Sequence, residues 1–322
     1  MRFLIIRFSS LGDIILATSL VRAIHNSQPD AGIDFMTKPE YAPVFENIRE
    51  VSSVITDIRA SDRYDYLIDL HGSIRSGFVS MISRAGKKYK YDKAAFERRL
   101  FLHTKRRTPK LDKNVIERYF DVFRQTGLII SSEASPFLSL TSEEKAGASR
   151  STGGSEYIVV APFAKWPMKE WGVDNTVGFI KRMIRDEKKR IVLVGGLADI
   201  EKSRRLAGEI GVLGKNMLNL TGQTGLRELF AVIGGADLAV TMDSAALHIA
   251  YALNRPAIAL FGPTVREFGF QFSGSGIYYL QKDMKCRPCS LHGEKMCRFK
   301  DKACLGLISP EEVVDLARKI QG

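Results

Sequence analysis

The sequence predicts an α/β protein of two doubly wound domains, each a mostly parallel sheet with helices on both faces. Three observations carry that reading. Short apolar runs alternate with amphipathic stretches from the N-terminus onward, a Ser-, Thr- and Gly-rich break interrupts them at 131 to 156, and the alternation resumes beyond it. The break marks a linker, so an N-terminal domain is expected over 1 to 150 and a C-terminal domain over 151 to 322, with the last helix a candidate to pack back on the first domain.

Taken in order, "RFLII" reads as a strand, and "DIILATSLVRAIHN" as a helix with Ile14, Leu20, Val21 and Ile24 at helical spacing. Strand-like "IDFMT", "SVIT" and "YLIDL" follow, and after Gly72 the stretch "SIRSGFVSMISR" is expected to be helical. Inside the break, "TSEE" is a capped helix start. The second series has strands at "YIVVAP", "RIVLVGG", "ADLAVTMD" and "PAIALFGP", with helices expected at about 174 to 187, 199 to 210, 225 to 235 and 244 to 253.

The 322 residues suffice for two cores of ordinary size. No apolar run nears the roughly 20 residues of a membrane span. Arg7 breaks "MRFLIIRF" before it can serve as a signal-peptide core, so a cytoplasmic protein is expected. All four cysteines lie between Cys286 and Cys304, which suits a reducing compartment. The formal charge of +12 is uneven: from Arg84 to Lys113, twelve Lys or Arg face only Asp92, Glu97 and Asp112, a net of +9. Such a run is suited to an anionic partner. Within it, "AAFERRLFLHTKRR" sets Phe96, Leu100 and Phe101 among arginines, the pattern of a short helix resting on anionic lipid; a solvated basic arm is the plainer reading. No recognisable nucleic-acid module accompanies the charge, so no nucleic-acid partner is expected.

The first strand-to-helix turn, "RFSSLGD", has the position of a phosphate cradle but only Gly12, where a dinucleotide site needs G-x-G-x-x-G. Asp13 would set a negative charge against phosphates. At a helix N-terminus its carboxylate stays ionised and suits a general base; a plain N-cap is the alternative. No P-loop and no D-x-D triplet occurs, which argues against P-loop NTP hydrolysis and against a metal-dependent sugar-nucleotide site of the D-x-D kind. In "TMDSAALHIAYAL", Asp243 and Ser244 end a strand and open a helix, with small Ala245 behind them and His248 one turn in. The free N–H groups there suit a diphosphate, although such residues are also ordinary caps. Gly262 closes the next strand, Lys169 lies between Trp166 and Trp171, and Asp199 follows another strand, where a carboxylate commonly holds ribose hydroxyls. Cys286, Cys289, Cys297 and Cys304 give C-x2-C-x7-C-x6-C, enough for a tetrahedral metal, or else thiols or disulfides.

The set "SSLGD", "DLHG", "KWPMKEWGVDN", "LVGGLAD", "NLTGQTGLREL", "TMDSAALHIAYALNRPAIALFGPT" and "CRPC" with its following cysteines resembles glycosyltransferase family 9, the ADP-heptose:lipopolysaccharide heptosyltransferases. The resemblance runs over nearly the whole chain. It implies a GT-B fold, two Rossmann-like domains facing across a cleft, with acceptor on the first and nucleotide sugar on the second. It also implies inverting transfer of heptose from ADP-heptose to the lipopolysaccharide inner core, with no metal or other cofactor, at the inner face of the inner membrane. Residue by residue, Asp13 corresponds to the catalytic base and Lys169 to the lysine on the donor phosphates. Asp243, Ser244, Ala245 and His248 correspond to the diphosphate segment, with Gly262 nearby and Asp199 at the ribose. Arg7, Ser10 and Gly12 flank the base and are expected at acceptor or donor sugar. Ala245 stands where the family has glycine, and its methyl would crowd a phosphate if the backbone there were left-handed. The family resemblance also makes a metal role for the cysteines less expected. The alternative within the family is another nucleotide sugar and a different surface glycan.

Overall fold

The structure, a computed structural model, describes residues 1–57, 63–130, 133–154, 156–272, 274 and 276–322. The chain forms two compact units, Met1–Glu97 with Thr108–Ser139, and Arg98–Arg107 with Leu140–Gly322. The expected linker at 131 to 156 includes residues 131, 132 and 155, which lie outside the described residues.

The first unit runs β1 (Arg2–Ile6), α1 (Leu11–Ser27), β2 (Gly32–Met36), β3 (Ser53–Ile55), β4 (Arg63–Asp69), α2 (Ile74–Ile82) and β5 (Arg84–Lys90). After them come α3 (Ala95–Thr104), most of which belongs to the second unit, and α4 (Val115–Arg124). The sheet is parallel, in the order β3-β2-β1-β4-β5. Phe3 of β1 pairs with Ile33 on one side and Tyr66 on the other, and residues 3 to 6 are fully buried. A strand covered on both faces needs a continuous apolar run, which "RFLII" supplies. Because the strand order reverses at β1, the turn after it lies at a topological switch point.

The basic run contains a strand that the sequence reading left out. Arg84–Lys90 pairs with β4 as the edge of the sheet, half-buries Ala85 and Tyr89, and exposes Arg84, Lys87, Lys88 and Lys90. Lysines on an edge strand discourage pairing with other chains.

The second unit runs α5 (Ser142–Thr152), β6 (Tyr157–Ala161), α6 (Val173–Arg185), β7 (Arg190–Leu193), α7 (Ile200–Ile210), β8 (Met217–Asn219), α8 (Leu226–Gly234), β9 (Leu238–Met242), α9 (Ala245–Ala252), β10 (Ala257–Phe261), β11 (Ile277–Gln281), α10 (Ala303–Gly306) and α11 (Pro310–Gln321). Thr141 caps α5 in reciprocal bonds with Glu144, as "TSEE" predicts. The parallel sheet has the order β11-β10-β9-β6-β7-β8, so its switch point falls between β6 and β9. Helix α11 buries Val313, Val314 and Ala317 in the same core as Phe179, Ile180 and Met183 of α6. Among the described residues no helix is long and apolar enough to cross a membrane.

Candidate functional site

The first constellation is the turn after β1. Ser10, not Asp13, is the cap residue of α1, and Asp13 is the third residue of the helix, reaching back. Ser10 donates to Asp13 Oδ2 from its backbone N–H (3.2 Å) and from its hydroxyl (2.8 Å). Arg7 Nη2 lies 2.5 Å from the same oxygen, and Arg7 Nη1 donates to the Leu70 carbonyl (2.5 Å). The Arg7 side chain is 8% exposed, so it is a buried guanidinium turned on the carboxylate and not a surface arginine; Asp13 keeps 20% exposure. Burial works against the Arg7 charge, but Asp13, Tyr119 and Tyr91 more than reverse this and hold its pKa above the ordinary value. Gly12 is buried inside α1.

Asp69, His71, Gly72 and Tyr119, to which the sequence assigns no individual role, adjoin this turn. The Asp69 carboxylate at the end of β4 accepts from the His71 and Gly72 backbone N–H groups and from the Ser76 hydroxyl, each at 2.8 Å. Gly72 has φ +56°, and a Cβ there would lie 3.2 Å from the Tyr91 carbonyl, so any other residue would be strained. The His71 ring meets Phe8 edge-on at 5.4 Å. Partial burial, then Arg7 and Lys93, push its pKa down to about 4, so it is neutral near pH 7. Tyr119 of α4 is fully buried, and its hydroxyl makes no hydrogen bond among the described residues. Burial raises its pKa well above the ordinary value, with the Arg7 charge opposing.

The second constellation lies at the switch point of the second sheet. Asp243 follows β9, and its Oδ2 accepts from Lys169 Nζ (2.6 Å) and from the Thr264 hydroxyl (2.7 Å). Lys169 comes from the single turn Pro167–Lys169 after β6. Burial would raise the Asp243 pKa, but Lys169, Thr264 and His248 turn the balance and lower it. Ser244 is the cap residue of α9 and Ala245 its first residue. Ala245 is not among the positive-φ positions, so its methyl imposes no strain. His248 is buried between Phe270 and Phe272 (ring centroids 5.2 and 5.9 Å). Asp199 closes its own turn by accepting from the Gly196 N–H at 3.0 Å.

Gly262 is explained by packing: a Cβ would lie 2.7 Å from Leu305. Its carbonyl accepts from Arg287 Nε (2.5 Å), and the same guanidinium donates to the carbonyls of Thr264 (2.8 Å) and Lys282 (2.5 Å). Arg287 is 8% exposed and thus fixes the loop that supplies Thr264 to Asp243. In the sequence "CRPC" reads as a cysteine motif, and the three carbonyls that Arg287 holds lie elsewhere along the chain.

Cys286, Cys289, Cys297 and Cys304 are free, partly exposed thiols and form no disulfide. Burial, assisted by the neighbouring cysteines, pushes Cys304 up to about 11 and raises Cys289. Among the described residues no three His, Cys, Asp or Glu gather at metal-holding geometry.

The model of glycosyltransferase family 9 (heptosyltransferase) matches residues 52–299. The chain belongs to glycosyltransferase family 9. Lipopolysaccharide heptosyltransferase 2 of Escherichia coli strain K12 is 27% identical over 301 residues, covering 83% of this chain and 84% of that protein. Among solved structures, the family 9 glycosyltransferase of Veillonella parvula superposes with TM-score 0.81 at 17% identity, covering 99% of this chain and 97% of that one. The ADP-heptose LPS heptosyltransferase II of E. coli gives 0.79 at 23% identity, covering 100% and 98%. The fold is thus of the GT-B class, and the protein is a glycosyltransferase. The span matched by the family model holds Lys169, Asp199, Asp243, Ser244, Ala245, His248 and Gly262, whereas the Arg7–Asp13 turn precedes it.

Proposed function

We propose that this family 9 glycosyltransferase moves heptose from ADP-heptose to the lipopolysaccharide inner core, in one displacement with inversion at the anomeric carbon and without a metal ion. The observation that carries the reading is the Asp13 carboxylate, oriented by Ser10 and Arg7 and still one-fifth exposed in the first turn of α1. A sugar hydroxyl is a weak nucleophile. Asp13 accepts its proton as the oxygen bonds to the anomeric carbon, and the bond to ADP breaks with its electron pair on the diphosphate. Lys169 and the N–H groups opening α9 meet that charge. In this reading the first unit holds the acceptor and the second the donor, with Asp199, Asp243, Ser244, Ala245, His248 and Gly262 around the nucleotide sugar. The names of the relatives support heptose, ADP and lipopolysaccharide; the net charge of +9 from Arg84 to Lys113 supports an anionic acceptor and a cytoplasmic enzyme resting peripherally on the inner membrane.

The test is incubation with ADP-heptose and core acceptors, with product mass and anomeric configuration as readouts, with and without a chelator. A heptosylated product of inverted configuration, formed equally with chelator, is expected. Transfer only from another nucleotide sugar would move the protein to the alternative donor class, and loss of transfer with chelator would end the metal-free mechanism. Thermal stabilisation by oligonucleotide but not by ADP would overturn the ADP-sugar donor.

A further inference from the structure

Helix α2, which joins β4 to the edge strand β5, buries one face and leaves the other uncovered. Ser76 and Val79 are fully buried, whereas Ile74 is 95% exposed, Met81 68%, Phe78 54% and Ile82 47%. At about 100° per residue the four exposed side chains fall within an arc of roughly 100°, so they form a single apolar stripe. Apolar residues on an ordinary soluble surface are scattered singly.

The surroundings of the stripe say what covers it. Residues 74 to 90 contain Arg75, Arg84, Lys87, Lys88 and Lys90 and no Asp or Glu. Lys88 Nζ donates to the Ser80 and Met81 carbonyls, which puts a cation at the C-terminal end of the stripe. On β5 the side chains of Arg84, Lys87, Lys88 and Lys90 are exposed. A second copy of this face would set five cations against five. An anionic bilayer neutralises them while its acyl boundary takes up the apolar side chains.

We propose that α2, with β5 beside it, is the element by which this protein rests on a bilayer containing anionic lipid. The proposal rests on the membrane contact put forward above and places it on α2 instead of α3. In α3, Phe101 is committed edge-on to Phe268 (6.1 Å) and Leu100 is half-buried, which leaves Phe96 as the strongly exposed member of the three expected at lipid. Helix α2 begins four residues after Leu70, whose carbonyl holds Arg7, so docking on α2 brings the turn carrying Asp13 toward the surface where a lipid-linked acceptor lies.

The experiment is co-sedimentation of the full chain with phosphatidylcholine vesicles, with or without phosphatidylglycerol. It compares the parent with a triple variant (Ile74→Ser, Phe78→Ser, Met81→Ser) and with Arg84→Glu combined with Lys87→Glu. The parent should bind the anionic vesicles, the triple variant about tenfold or more weakly, and the charge variant weakly with less dependence on salt. A Phe78→Trp variant, which needs no loss of packing, should shift its emission to the blue with anionic vesicles only. A folded triple variant that binds like the parent would overturn the assignment to α2 and leave the membrane contact standing. A parent that ignores both vesicles would overturn both. A triple variant that turns a dimer into a monomer with vesicle binding unchanged would assign the face to a second copy.

Discussion

The two switch-point turns are built alike and used differently. Each places an aspartate beside a helix start and pairs it with a cation, Asp13 with Arg7 and Asp243 with Lys169. In the first pair the cation is the buried partner (8%) and the acid is the more open one (20%); in the second the acid is buried (6%) and the lysine more open (13%). The Asp13 carboxylate is left open against a fixed guanidinium. The buried Asp243 carboxylate instead holds the Lys169 ammonium in place at 2.6 Å. The same motif thus leaves the anion the more open partner in one unit and the cation the more open partner in the other, the difference that the proposed base and phosphate roles would need.

The largest expected effect is on stability. Asp243→Ala strands the Lys169 charge and should cost about 3 to 5 kcal/mol in denaturant unfolding. Adding Lys169→Met should recover part of that loss; simple additivity of the two losses would mean that the pair is not the reason. Next, Asp13→Asn keeps the size and a hydrogen-bond acceptor but removes the base. Turnover should fall on the order of 10²-fold or more while ADP affinity stays put, and near-normal turnover would reduce Asp13 to a helix-start residue. Lys169→Ala should then lower kcat/KM for the donor by about tenfold and leave the acceptor KM alone; equal loss on both sides would point to misfolding.

The smallest effect is the pH dependence carried by His71. Its folded pKa of about 4 lies below the ordinary 6.5, so between those values the unfolded chain takes a proton that the folded one refuses. Stability from this group is therefore full above pH 6.5 and declines as the pH falls toward 4. His71→Gln should flatten that part of the Tm-against-pH curve, and an unchanged slope would assign it to other groups.

Much of this was legible in the sequence because buried parallel strands must be apolar on both faces. "RFLII", "YIVVA" and "AIALF" cannot be much else, and the helices expected near 174 to 187 and 244 to 253 form at Val173–Arg185 and Ala245–Ala252. The edge strands β5, β8 and β11 escaped because each pairs on one side only and their periodicity is weak. Helix α4, which opens on the reciprocal Asn114–Glu117 cap, is masked in the sequence because it starts directly after the basic run that ends at Lys113. At the site, residue types and turns could be read, but partners could not. That Arg7 faces Asp13, that Lys169 faces Asp243 and that Arg287 ties three carbonyls are facts of tertiary approach, and no spacing along the chain records them.

The indole of Trp171 donates from Nε1 to the carbonyl of Ile308 at 2.9 Å, one residue before the cap of α11. Trp171 stands two positions beyond Lys169 and opens the path into α6, against which α11 packs. The tail is therefore tied from behind to the turn that carries Lys169. Anyone trimming this protein for crystallisation at Ser309 would uncover the apolar face of α6 and loosen the carbonyl that steadies Trp171, losing donor affinity from a segment that holds no candidate site residue.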